Sequence, residues 1–403
     1  MRLFVIGLNQ IKNKVKKAKE GLGDKLLYWF DENKRSMPWR NTKDPYVIWL
    51  SEVILQQTQV VQGTPYFEKF IEEFPTLKDL AQSSEDKVLK LWQGLGYYSR
   101  ARNMYETSKH IFYNLSGIFP ANYNELLKLK GVGDYTASAI ASIAYNEPVA
   151  VVDGNVVRVI SRLFKVEQPF DSAEGKKNIK ELAGQILNKK NPAEHNQGMM
   201  ELGSLVCRPQ NPLCHVCPIE EHCLARKDNT INNYPVKGKK TKTRVRYFNF
   251  VVPILPSGKT IITKRTGNDI WKNMFTFPLY EMEKEISSKE FLPMIRKEYG
   301  DFELMKVTSL NHTLSHQIIN ANFYFLALKE SLQYQTTNQN YDLQKLNEPD
   351  VLYEPDFKNK YKGTYQKNNI FEVEIKSLKE FYPLPRLITK CMEGKDVSIY
   401  FNS

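Results

Sequence analysis

The stretch Leu129-Lys-Gly-Val-Gly-Asp-Tyr-Thr-Ala137 constrains the chain more than any other. Before it, residues 121–129 carry apolar side chains at helical spacing (Leu126, Leu127, Leu129). After it, the Ala-rich residues 134–145 continue as a second helix through Ile140 and Ile143. Between the two, Gly131 and Gly133 permit a tight reversal with φ > 0 and leave backbone N–H groups uncovered. Such groups at a helix start form an anion site suited to a DNA phosphate, a contact that positions a backbone and reads no bases. Taken alone, the stretch is an ordinary helix corner with a glycine cap. Its meaning comes from the rest of the chain.

At 403 residues the chain should hold two or three domains with a sizeable core. Lys plus Arg total 57 against 45 Asp plus Glu, and this excess of +12 favours a polyanionic partner. An aromatic content of 12% argues against a largely disordered chain. No apolar run reaches the length of a membrane span. The N-terminal Leu3-Phe-Val-Ile-Gly-Leu8 is short, lacks a cleavage site and runs into Lys12, Lys14, Lys16, Lys17 and Lys19, so residues 1–22 read as a basic extension. Of five cysteines, four crowd into residues 207–223, the distribution of a metal site in a reducing compartment, and a cytoplasmic location is expected.

Residues 24–226 read as almost wholly helical. Asp44 caps a long apolar helix opened by Pro45 and running to about Gln62, with Glu52, Gln56 and Gln59 on one side, either as a solvent face or as the lining of a cleft. Gly94-Leu-Gly-Tyr-Tyr-Ser-Arg-Ala-Arg102 sets two tyrosines beside two arginines, a combination that grips nucleic acid or packs a surface. Val149-Ala-Val-Val-Asp-Gly-Asn155 ends an apolar run in a turn, and either Asp153 or Asn155 caps the helix that resumes at Val156. A carboxylate there would be held ionised by the helix dipole and N–H donors, which suits a cationic transition state. Cys207, Cys214, Cys217 and Cys223 can close around one metal centre, and on chemistry alone zinc and a [4Fe–4S] cluster both remain open.

Residues 227–246, rich in Asn, Pro, Gly and Lys, read as a basic linker (Lys237, Lys239, Lys240, Lys242, Arg244, Arg246). From Tyr247 the pattern turns β: a hairpin over 248–264, strands near 304–310, 319–328 and 369–376, and helices at 287–299 and 384–392. Residues 330–350 read as a loose excursion.

With these residues assembled, the chain resembles the helix–hairpin–helix DNA glycosylases, and among them the adenine DNA glycosylases of the MutY type. The markers are Met37-Pro-Trp-Arg40, Ser51-Glu-Val-Ile-Leu-Gln-Gln-Thr58, Leu95-Gly-Tyr-Tyr98, the glycine hairpin, Val152-Asp-Gly-Asn-Val156, Met200-Glu-Leu-Gly203 and the four cysteines. Their occurrence together and in order is specific over residues 24–226 and looser beyond. The resemblance implies a mainly α catalytic region, residues 23–226. Within it, a six-helix barrel (about 40–146) carries the helix–hairpin–helix, and an iron–sulfur cluster domain comprises 23–39 plus 147–226, with [4Fe–4S] on Cys207, Cys214, Cys217 and Cys223. An α+β Nudix-like domain, 247–403, follows. It further implies a monomer acting on double-stranded DNA, with Gly131 and Gly133 on a phosphate.

The chemistry implied is adenine excision. Glu52, a buried acid of raised pKa, would protonate N7 of a flipped adenine, and an ionised Asp153 would stabilise the oxocarbenium ion at C1′. Tyr135 occupies the position where glycosylases of the endonuclease III type place a lysine, and a phenol cannot form an imine, so a monofunctional enzyme is expected. The alternatives are a bifunctional pyrimidine-lesion glycosylase/lyase or a non-catalytic iron–sulfur protein on DNA. Asn155 would bond Asp153 or the water, Arg40 and Glu201 would hold the adenine edge with Trp39 nearby, and Gln57 and Tyr97 would wedge into the duplex. Residues 296–300 lack the paired glutamates of a Nudix box, which argues against nucleotide hydrolysis. The family's Phe-Ser-His loop, which reads 8-oxoguanine, corresponds to Leu314, Ser315 and His316. Leucine loses the aromatic contact but the hydroxyl stays. Ser315 can accept from the lesion's N7–H and donate to guanine N7, so activity on A·G pairs should survive.

Overall fold

The computed structural model describes residues 21–238, 243–329 and 369–402. The basic extension up to residue 20, Lys239, Lys240 and Lys242 of the linker, and the excursion at 330–350 lie outside them. Two compact units emerge, one joining the chain up to Ala81 with Glu106–Lys240, the other joining Gln82–Tyr105 with the chain from Thr241.

The helices in order are α1 (Leu22–Asn33), α2 (Pro45–Leu55), α3 (Val60–Glu73), α4 (Leu77–Gln82), α5 (Glu85–Leu91), α6 (Ser99–Asn114), α7 (Tyr123–Leu126), α8 (Asp134–Tyr145), α9 (Gly154–Phe164), α10 (Ala173–Ile186), α11 (Pro192–Leu205) and α12 (Leu224–Lys227). Asp44 caps α2 by accepting from the Tyr46 N–H at 2.8 Å, and Pro45 occupies the first turn. The expected run to Gln62 is corrected. The helix stops at Leu55, Gln57 turns to φ 54°, and α3 begins at Val60. Gln56-Gln-Thr-Gln59 offers no apolar face to bury, so Glu52, Gln56 and Gln59 do not share a helical side.

The first helix of the glycine hairpin is also shorter than expected. Asn122 caps it at the Glu125 N–H, 3.0 Å, and the chain then tightens into three-residue turns through Leu129 and Val132. Gly131 is left-handed, φ 74°, whereas Gly133 is extended, so only the first needs glycine's freedom. Helices α1, α9, α10 and α11 share one core of Leu22, Leu26, Ile160, Leu163, Ile179 and Leu202, with Cys207, Cys217 and Cys223 packed at its border.

The second unit is built on a seven-stranded sheet: β1 (Arg244–Ile254), β2 (Lys259–Lys264), β3 (Phe275–Thr276), β4 (Leu279–Met282), β5 (Phe302–Leu314), β6 (Gln317–Leu328) and β7 (Ile370–Glu374). Its order is β3-β2-β1-β6-β5, with β4 paired to β1 and β7 to β2. Strands β1 and β6 run parallel, and β5 and β6 form a long antiparallel hairpin closed by Ser315 and His316. Helix α13 (Ser288–Tyr299), started by a capping box of Ser287 and Glu290, lays Phe291, Ile295 and Tyr299 on Val251, Ile261 and Tyr324. Helices α14 (Leu378–Phe381), α15 (Arg386–Met392) and α16 (Ile399–Asn402) finish the chain.

The first strand begins at Arg244, inside the stretch read as linker, because Arg246 turns inward and is 4% exposed. Gln82–Tyr105, which the resemblance puts in the barrel, clusters with the sheet. Asp86 pairs with Lys264 at 2.9 Å, and Arg102 donates to the Lys272 carbonyl at 3.0 Å. No helix of the described residues is long and apolar enough to cross a membrane.

Candidate active site

Helix α2 is apolar nearly all round and therefore buried, and it carries Glu52 inward at 8% exposure. Helix α8, entered from the glycine hairpin, presents Tyr135, whose hydroxyl donates to Glu52 Oε2. Burial raises Glu52 to about 7, the Tyr135 hydrogen bond opposes that rise, and the charge of Asp153 adds to it. The Tyr135 phenol, buried beside both carboxyls, is pushed far above its ordinary value and stays protonated. The thioether of Met200 lies 3.9 Å from it.

Asp153 caps α9, accepting from the Val156 N–H at 2.7 Å through one oxygen and from the Asn155 amide at 2.6 Å through the other. The N–H donors expected to favour the ionised form are present, and burial opposes them. Burial dominates and lifts Asp153 above the usual carboxylate value, against the pull of Val156, Asn155 and Arg158. Those three have no counterpart at Glu52, where only Tyr135 opposes burial. The pair therefore holds one acid that keeps its proton and one that gives it up more readily.

The place of Asn155 is set by the approach of two helices. A Cβ on Gly203 of α11 would lie 2.6 Å from Asn155 Cβ and 2.8 Å from its carbonyl oxygen, so only glycine lets α11 come this close to α9. Arg158, which sequence reasoning missed, donates to Asn155 Oδ1 at 3.0 Å and to the Cys207 carbonyl at 2.6 Å. It sits one turn after Asn155, a helical spacing that could have signalled it.

Glu201 is 2% exposed and meets Arg40, the other residue expected on the adenine edge, at 3.0 Å. A second guanidinium, Arg35, was not anticipated. It reaches Glu201 Oε1 at 2.6 Å and Oε2 at 3.2 Å. Burial pushes Glu201 up, yet the two arginines outweigh it and leave the carboxyl below its usual value. Arg40 Nη1 is buried without a hydrogen-bond partner among the described residues. Trp39 packs edge-on against Phe67 at 5.0 Å. Gln57, in the first unit, is exposed at its left-handed bend. Tyr97, in the second, is 46% exposed with φ 47°. Its hydroxyl bonds that of Ser315, at the tip of the β5–β6 hairpin with Leu314 and His316.

The four cysteines of residues 207–223 are each partly covered. Among the described residues no three His, Cys, Asp or Glu side chains converge as ligands of a single ion. The buried guanidinium of Arg162 donates to Cys207 Sγ at 3.3 Å and to the Arg208 carbonyl at 2.7 Å, while Cys223 Sγ donates to the Arg162 carbonyl at 3.6 Å. Cys207, Cys217 and Cys223 border one hydrophobic core, and the Arg162 guanidinium that donates to the Cys207 sulfur suits an anionic centre there.

The profile of the HhH-GPD superfamily of base excision DNA repair proteins matches residues 50–189. The adenine DNA glycosylase of Buchnera aphidicola subsp. Schizaphis graminum (strain Sg) is 36% identical over 292 residues, covering 72% of this chain and 83% of that protein. That of Arabidopsis thaliana is 33% identical over 316 residues, 69% of this chain and 49% of that protein. The Homo sapiens enzyme is 43% identical over 211 residues, 50% of this chain and 39% of that protein. With Glu52, Tyr135 and Asp153 gathered in one buried site and relatives this similar along most of its length, the chain belongs to the adenine DNA glycosylases.

Proposed function

We propose that this glycosylase is monofunctional and removes adenine mispaired with 8-oxoguanine or guanine in double-stranded DNA, leaving an abasic site. The observation that carries the reading is the hydrogen bond from Tyr135 to the buried Glu52 beside Asp153, with a phenol where a lyase needs an amine.

Adenine has to leave the stack before its glycosidic bond is accessible. Glu52 gives its proton to N7, the C1′–N9 bond breaks with its electron pair going to the base, and neutral adenine departs. The charge left at C1′ is met by Asp153, held in place by the Val156 N–H and the Asn155 amide. Water then bonds to C1′ and returns a proton to Glu52. The free donor at Arg40 Nη1 supports a contact to the adenine edge, with Glu201 kept anionic by Arg35 and Arg40.

The cysteine set fits a [4Fe–4S] cluster on Cys207, Cys214, Cys217 and Cys223, which would brace the loop after α11 and offer one-electron chemistry. A brown protein with a broad absorption near roughly 400 nm is the expected sign of thiolate-bound iron, and a colourless zinc protein would refute it. The proposed domains are a six-helix barrel (about 40–146), a cluster domain (23–39 plus 147–226), a linker (227–246) and a Nudix-like domain (247–403). In the last, Ser315 would read the base opposite adenine. The enzyme is expected to act as a monomer.

The test is a duplex carrying A opposite 8-oxoguanine, examined for breaks with and without alkali. Breaks only after alkali are expected, and equal yields without it would show a lyase. Glu52→Gln should bind this duplex and lose about 10²–10⁴-fold in excision. Undiminished excision would remove Glu52 from the mechanism.

A further inference from the structure

Behind the β5–β6 hairpin lies a charge cluster, centred on the buried Arg246, that the excision mechanism does not use. Arg246, the third residue of β1, spends all five of its guanidinium N–H donors. Nε and Nη2 donate to Glu281 Oε1 and Oε2 at 2.8 and 2.6 Å, and Nη1 and Nη2 to Asp269 Oδ1 and Oδ2 at 3.0 and 2.6 Å. The fifth goes from Nη1 to the amide oxygen of Gln317 at 3.1 Å. The guanidinium also lies over the Phe248 ring at 4.7 Å, Arg265 reaches Asp269 at 3.2 Å and Arg244 reaches Glu281 at 3.8 Å, so each carboxylate faces a second cation.

Two charged partners fix the group, and its one neutral acceptor is the residue that follows the Ser315-His316 turn. Gln317 pairs with Leu314 across the hairpin, and the His316 carbonyl accepts from the Arg244 N–H at 3.0 Å. The other arm is supported from the same loop. Trp271, two residues beyond Asp269 and left-handed at φ 61°, sets its ring 6.3 Å from His312 and 5.9 Å from Phe248. The tip itself is exposed at Ser315 and His316.

We infer that Arg246, acting through Gln317, is a positioning residue for Ser315 and sets discrimination between 8-oxoguanine and guanine opposite the adenine. The inference rests on Ser315 reading that base. A hydroxyl can accept from one purine and donate to the other, so what it selects depends on where its oxygen is held. The Ser315 hydroxyl bonds that of Tyr97, but the two-residue turn that carries it is exposed, so the placement of its backbone falls to the strand ends. A site of this kind needs placement within about 0.5 Å, supplied by groups behind it.

The test compares single-turnover excision of adenine opposite 8-oxoguanine and opposite guanine in the full-length protein. Gln317→Ala should lower the ratio of the two rates about fivefold, the order of one hydrogen bond, with a melting temperature changed by no more than about 4 °C. Gln317→Glu keeps an acceptor for Arg246 and should restore the ratio. Arg246→Lys, which retains the charge with fewer donors, should lower it again. If Gln317→Ala melts much earlier, the comparison is made with Gln317→Asn, whose shorter amide leaves Arg246 out of reach. Ser315→Ala separates the two layers of the argument. An unchanged ratio there overturns the reading of Ser315, and the inference with it. A ratio that falls in Ser315→Ala but holds in folded Gln317 and Arg246 variants overturns the inference alone.

Discussion

Glu52 keeps a proton near neutral pH because burial outweighs the hydroxyl of Tyr135. The sign matters for stability as well as for rate. A carboxyl raised to about 7 in the folded protein and near its ordinary value in the unfolded chain costs stability progressively as pH rises through that window. In urea unfolding Glu52→Gln should therefore be more stable than the parent at pH 8, by up to about 3 kcal/mol, and match it at pH 4. Equal stabilities at pH 8 would show the shift to be wrong. Excision by the parent should fall above pH 7 as the acid ionises. In Tyr135→Phe the one group pulling Glu52 down is gone, so the alkaline limb of the pH–rate profile should move to higher pH. His195 works in the opposite sense. Burial lowers it to about 4, so the unfolded chain takes up its proton first and stability is lost as pH falls from about 6.5 toward 4. Replacing His195 with leucine should flatten that acid limb in a series of urea titrations.

At the level of helices and strands, Gly203 shows how backbone spacing becomes chemistry. Gly203→Ala puts a methyl group against Asn155, so α9 and α11 must part. A loss of about 1–3 kcal/mol in urea unfolding is expected, with slower excision because Asn155 and Asp153 move together. The sequence was most legible where local rules decide. Asp44 and Pro45 start α2, Asp153, one of two expected candidates, caps α9, and the helix expected at 287–299 is α13. It was least legible where distant groups decide. Nothing near Gln57 announces a left-handed bend, since four polar residues in a row fit a helix surface as well as a break. Arg35 sits 166 positions from Glu201, so their pairing has no local signature. Arg246 looked like linker charge because its two carboxylates come from β4 and from the loop after β2.

The whole molecule divides its chain unevenly between two units, and the second takes a piece from the middle of the first. Every residue proposed for bond breaking (Glu52, Tyr135, Asp153, Asn155) belongs to the first unit, while Tyr97 and Ser315 belong to the second. Composition foresaw more than one domain but could not show this interleaving, which depends on contacts such as Asp86 with Lys264. A net charge of +12 sets the behaviour on duplex DNA. Affinity for undamaged duplex should drop by at least about tenfold between 50 and 200 mM salt, because phosphate contacts release counterions. A salt-independent affinity in a fluorescence titration would contradict an electrostatic grip.

Arg158 gives the molecule a mechanical liability. One planar cation grasps the amide beside the ionisable aspartate with one edge and the carbonyl of the first cysteine with another. Oxidative damage to the sulfur-bearing loop need not travel far to be felt. A displaced Cys207 drags on the group that steadies Asn155, so an enzyme with an injured loop should falter at chemistry while still clinging to its duplex.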